Sequence, residues 1–214
     1  MKLTRILVLL ALLSAPLSAS AQEEKADRKV HVLEQRPFLA ALRAEVTPLF
    51  GYTINEVMYQ YIQVGAQLKF HITEEWAVGG TYGHYFSDFT SEFDRVQEDF
   101  EVFPEISLIK WYAGGEVIWT PIYAKAIVFG AGIIHWSAFF NVGAGVTKTG
   151  AEDLRVTGTF GVGLRVFLTR WLTFQLELKD HLYSEPFKAG DELINNLVLH
   201  AGFGIFIPFG FDYK

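Results

Sequence analysis

From Phe38 onward the chain alternates apolar and polar positions with a period of two, the pattern of a strand that shows one face to an apolar medium and the other to a polar one. The alternation is clearest where Ile62, Val64, Ala66, Leu68, Phe70 and Ile72 share one parity while Tyr61, Gln63, Gly65, Gln67, Lys69 and His71 share the other. Carried along the chain, it predicts strands near residues 42–52, 61–72, 76–85, 107–119, 133–147, 156–168, 171–183 and 197–209. Each is about long enough to cross a bilayer at a tilt. The connections at 73–75 and 169–170 are tight, whereas 86–106 and 184–195 are long and polar. Short turns at one end and long loops at the other are the layout of a bacterial outer-membrane barrel. Residues 121–132 fit less simply, being too long for a tight turn, and are read either as a helical turn or as an extended strand.

The expected fold is therefore all-β, a closed antiparallel transmembrane β-barrel of about eight strands with a filled polar lumen. A soluble lipocalin-like barrel shares the alternation but turns its apolar face inward. Glycine placement separates the two, because Gly65, Gly83, Gly114, Gly145, Gly161 and Gly163, among others, lie on the polar parity. The interior of an eight-stranded barrel is just wide enough for side chains, so long polar residues interleaved with glycine suit the inside and large apolar ones face out. Trp76, Trp119 and Trp171 fall at strand ends on the short-turn side, where an interfacial aromatic girdle would sit.

The start of the chain adds a compartment. Lys2 and Arg5, an apolar run over 6–13 and the small residues Ala19, Ser20 and Ala21 have the three-part layout of a secretory signal, residues 1–21. Residues 22–36 form a polar leader expected on the periplasmic side, and 37–214 the barrel. With no cysteine there is neither a lipid-modified anchor nor a disulfide framework. Half the residues are apolar and 15% aromatic, too many for a disordered chain. The longest apolar run after the signal, 126–134, is too short for a spanning helix, which excludes a helical membrane protein. Removing Lys2 and Arg5 with the signal takes 18 basic residues to 16 against 24 acidic ones, a formal charge of −8. Nucleic acid is not an expected partner at that charge; outer-membrane lipid is.

On the inward parity lie Arg43, Glu45, Lys69, His71, Lys110, Glu116, Arg165, Glu177 and Lys179, with His135, Asn141, Gln175 and His200. Mixed charges in a narrow, low-dielectric bore must pair across strands, so they are expected to knit the barrel shut. An open pore would separate its charges into rings and need more strands. His181, near Ser184 with Glu177 and Asp180, is the one grouping that could seed a hydrolase-like triad at a rim. No metal-ligand spacing and no phosphate-binding loop occur, so no cofactor or metal is expected. The loop 86–106 is acidic, with Glu92, Asp94 and Asp99 interleaved among Phe89, Phe93 and Phe100. Such a loop either docks a partner or cation, or folds back to plug the barrel mouth.

Residues 43–61 (RAEVTPLFGYTINEVMYQY) followed by 70–80 (FHITEEWAVGG) resemble the start of a family of short outer-membrane β-barrel proteins of myxobacteria, which includes barrel subunits of the gliding-motility machinery. The resemblance implies a non-enzymatic anchor or scaffold subunit of a cell-envelope complex, with envelope proteins as partners and gliding as the process served. A small channel for small solutes is the alternative, and a rim-located lipid-modifying enzyme a third reading. The C-terminus departs from the general outer-membrane pattern of a terminal aromatic residue, since Phe209, Phe211 and Tyr213 precede Lys214. Either Lys214 is a tolerated overhang or the assembly signal is shifted inward to Phe209; the alternation favours the overhang.

Overall fold

Two threonines begin the two tight turns and fold them in the same way. Thr73 Oγ1 accepts hydrogen bonds from the amides of Glu75 (3.2 Å) and Trp76 (3.0 Å), and Thr169 Oγ1 from those of Trp171 (3.3 Å) and Leu172 (3.0 Å). A side-chain hydroxyl that satisfies turn amides lets the chain reverse within a few residues. The computed structural model describes residues 38–56, 59–90, 108–128, 132–150, 154–187 and 190–209. The signal sequence, the leader, the loop residues Glu92, Phe93, Asp94, Asp99 and Phe100, and the terminal residues 210–214 lie outside the described residues.

Eight strands follow in order: β1 (Arg43–Thr53), β2 (Tyr59–His71), β3 (Trp76–Phe89), β4 (Ile109–Val128), β5 (Gly132–Thr149), β6 (Leu154–Phe167), β7 (Leu172–Phe187) and β8 (Gly190–Ile207). Each pairs antiparallel with the next, and β1 pairs with β8, so the sheet closes without a free edge around the barrel. At the loop end Asn55 extends that closing seam. Its Nδ2 donates to the Asn195 carbonyl (2.7 Å) and its Oδ1 accepts from the Leu197 amide (2.8 Å).

The two faces separate as the alternation predicts. In β2, Leu68 is 59% exposed and its neighbour Lys69 only 3%, so the apolar parity faces outward and the polar parity fills the bore. A soluble barrel would reverse these values. The glycines agree: a Cβ built on Gly65 would lie 2.1 Å from the Tyr82 carbonyl oxygen, and one on Gly145 2.3 Å from that of Ala113, whereas one on the outward Gly158 would meet nothing within 4 Å. Trp76 and Trp119, paired in register, stack at 6.0 Å on the exposed surface of the short-turn end.

Three expectations are corrected. Lys110 is exposed rather than in the lumen, because the β4–β5 register shifts between Ile109 and Trp111 and the extra residue flips the local parity. Ile109 turns inward in its place and joins a cluster of tyrosines, leaving the ammonium outside. The described residues of the segment 184–195 are strand rather than irregular loop, since Ser184 pairs with Leu193 and Phe187 with Gly190 in a continuation of β7 and β8. The lumen also holds more apolar bulk than polar alternation suggested: Ile118, Phe139, Val198 and Phe206 are buried there. Of the ambiguous 121–132, the described residues are strand, β4 running on to Val128 and β5 starting at Gly132.

Candidate functional site

The lumen is built from the inward residues of all eight strands and is organised around three carboxylates. Glu45 on β1 sits lowest, toward the short-turn end. Its Oε2 lies 3.1 Å from Arg165 Nη2, 2.9 Å from His71 Nε2 and 3.7 Å from Lys69 Nζ. Thr47 Oγ1 donates to Glu45 at 3.4 Å. Higher up, Lys179 Nζ bridges Glu116 (2.7 Å) and Glu177 (2.9 Å), while Thr81 donates to Glu116 (2.8 Å) and Asn141 to Glu177 (2.5 Å). A relay of amides joins the two groups: Lys69 donates to Gln175 (2.7 Å), Gln175 to Gln67 (3.1 Å) and Gln67 to Glu116.

Glu45, Glu116 and Glu177 thus face Lys69, Arg165 and Lys179, an equal number of opposite charges. Each unpaired charge buried in this bore would cost several kcal/mol, and the pairing across strands offsets part of that penalty. Phe139 adds a packed floor, with Lys69 and Arg165 5.6 and 5.3 Å from its ring centroid. Gly163 makes room for that ring, since a Cβ there would lie 2.3 Å from Phe139 Cζ. Above the charges Tyr61, Tyr85, Tyr112, Tyr183, Ile109 and Val198 form a buried cluster that closes the bore toward the loops. At that mouth half-burial raises the Glu56 carboxyl above its ordinary value, against a hydrogen bond from Tyr59 that lowers it.

Of the inward residues expected from sequence, the structure brings together Glu45, Lys69, His71 and Arg165 in one group and Glu116, Glu177 and Lys179 in another. Arg43 belongs to neither. It closes the periplasmic mouth by donating to the carbonyls of Leu39 (2.8 Å), Arg170 (3.1 Å) and Pro208 (2.6 Å). The hydrolase-like grouping is not assembled: His181 is buried in the bore against the Tyr112 ring at 4.6 Å, while Ser184 lies on the opposite, exposed parity. Asp180 also points away and accepts from Asn195 at 2.6 Å. Of the acidic and aromatic loop, Phe89 is described, and it ends β3 with its ring exposed.

The periplasmic rim carries a feature that sequence reasoning left open. β4 and β5 continue past the barrel wall as a hairpin, with Lys125 opposite His135 and Ala126 opposite Ile134. The chain before β1 tucks against it: Phe38 stacks on Phe167 at 4.8 Å and meets His135 edge-on at 5.2 Å. Glu74 holds that segment by accepting from the amides of Ala40 (3.1 Å) and Ala41 (2.9 Å). A pocket of about 230 Å³ opens there, lined by Phe38, Tyr123, Ala124, Lys125, His135, Trp136 and Phe167. The alternation stops being informative at 121 because both faces of a ribbon beyond the membrane meet water.

A closed antiparallel ladder, an apolar exterior with an aromatic end and a bore filled with paired charges define an eight-stranded transmembrane β-barrel of the outer-membrane type, placed in the outer membrane of a Gram-negative bacterium. No protein-family model matches the chain, and no curated protein does. Among solved structures it is similar to the N-terminal β-barrel domain of Pseudomonas aeruginosa OprF, at 12% identity and a TM-score of 0.41 over 77% of this chain and 98% of that one. It is also similar to Neisserial surface protein A, at 8% identity and a TM-score of 0.40 over 76% and 94%. A de novo designed transmembrane β-barrel matches at 12% identity and a TM-score of 0.40 over 78% and 97%.

Proposed function

We propose that the protein is a non-enzymatic anchor or scaffold subunit of a cell-envelope complex, making its contacts through its loops and periplasmic rim. The observation that supports this most is the filled bore. Glu45 and Arg165 are 0% exposed and Glu177 and Lys179 1%, so a solute would have to displace paired charges to pass. A barrel that cannot conduct still offers a rigid wall in the membrane and two rims on which partners can be held. The resemblance of residues 43–61 and 70–80 to the myxobacterial family extends the proposal to gliding motility.

Co-purification tests the reading. Affinity-tagged chain extracted from native membranes in mild detergent is expected to carry other envelope proteins in fixed ratio through two purification steps. Barrel that emerges alone at every detergent strength contradicts it. Loss of surface gliding on deletion of the chain would support the finer proposal, and unchanged gliding would remove it.

A further inference from the structure

We propose that the outer wall of the barrel at its loop end, around Lys110 and Trp111, binds the phosphorylated sugar headgroup of an outer-leaflet glycolipid. The site is separate from the rims used in the scaffold reading and goes beyond it. Its origin is the bulge in β4. Ile109 and Tyr112 both turn into the bore, so the two residues between them, Lys110 and Trp111, emerge side by side on the outside. A bulge gives up regular ladder bonding to re-aim side chains, and here it sets a cation beside an indole on a largely apolar wall.

The neighbouring strand completes the site. His84 on β3 is the register partner of Trp111 and so shares its face, while Tyr82, one outward position below, is 51% exposed with its ring 6.4 Å from that of Trp111. The Lys110 ammonium and an imidazole N–H of His84 can donate to phosphate oxygens. The two rings offer faces against which the C–H side of a sugar can pack, with the indole N–H at the wet boundary. Lys148, opposite Trp111, has a partner of its own, so Lys110 and His84 supply the donors. Among the described residues of β3, β4 and β5, the acidic side chain at this end is Asp88, four residues past His84 and about 13 Å of strand farther out.

Depth in the membrane names the ligand. From Trp119 in the short-turn girdle to Trp111 is eight residues of β4, roughly 27 Å of strand and, at a tilt of about 40°, roughly 21 Å of height, against an apolar band about 25 Å tall. Lys110 and Trp111 therefore stand at the far headgroup layer, where a charge on the lipid face is tolerated and amphipathic rings gather. The longer loops mark that side as the cell exterior, and the outer leaflet of a Gram-negative outer membrane is built of phosphorylated glycolipid. A second copy of this chain fits less well, because a two-fold axis at this point would set Lys110 against Lys110.

The test uses the full chain folded in dodecylmaltoside micelles, with lipid binding followed by native mass spectrometry. Lipid A carrying both phosphates is expected to bind one to one, and at least tenfold more tightly than either its dephosphorylated form or phosphatidylglycerol. Lys110→Glu is expected to weaken it at least tenfold and Lys110→Gln at least threefold, with heat-modifiable migration showing that each barrel folds. Lys125→Glu, at the opposite rim, should leave it unchanged. Binding indifferent to the phosphates or to both Lys110 variants overturns the proposal. So does phosphatidylglycerol bound as tightly as lipid A, which would mean attraction for any anionic lipid, or displacement by inorganic phosphate, which would make the free anion the ligand.

Discussion

Glu45→Ala is expected to destabilise the barrel by about 3–5 kcal/mol, because it strips the shared counter-charge from Arg165, Lys69 and His71, all of them buried. The measurement is the urea midpoint of refolding in lipid, followed by the shift between folded and unfolded bands on an unboiled gel. Glu45→Gln keeps an acceptor for Thr47 and should lose less than the alanine variant. A loss under about 1 kcal/mol for Glu45→Ala, the range of an exposed ion pair, would mean that the bore is hydrated and the charges screened.

The second large effect is steric and needs a matched pair of glycines. Gly65→Ala places a methyl group against the Tyr82 carbonyl oxygen (2.1 Å) and Gly83 Cα (2.8 Å), both main chain of the neighbouring strand, so no rotamer relieves the clash. Its cost is expected near the upper end of the overpacking range, about 3 kcal/mol. Gly158→Ala meets nothing within 4 Å and should shift stability by no more than about 0.5 kcal/mol. Equal effects at the two positions would contradict the assignment of inner and outer faces.

How far the sequence revealed this molecule depends on whether a membrane enforces the alternation. Between the girdle and the tyrosine cluster, one face touches lipid and the other the packed bore, so a wrong parity would bury or expose a whole side chain. There the reading of β2, with Gln67 and Lys69 inward and Leu68 outward, is reproduced residue by residue. Lys110 failed because a bulge adds one residue, and a strict count of two has no means of registering it. The strand extensions over 121–128, 184–187 and 190–195 escaped because strands in water need not alternate.

The lumen site divides in the same way. Parity placed Glu45 and Arg165 inside, but they belong to β1 and β6, which are not neighbours in the sheet, and only the closed bore brings them to 3.1 Å. His181 and Ser184 illustrate the converse. Proximity along the chain suggested a triad, while an odd spacing within one strand sends the two side chains to opposite faces.

The central claim, a barrel with lipid outside and a closed polar bore inside, is tested most directly by accessibility along β2. The native chain has no cysteine, so single cysteines can be introduced from residue 62 to residue 70 and spin-labelled in lipid-reconstituted protein. The account predicts high collision with dissolved oxygen at positions 62, 64, 66, 68 and 70, and low collision with both oxygen and a water-soluble nickel chelate at 63, 67 and 69. High chelate access at 63, 67 and 69 would contradict it by showing a water-filled pore.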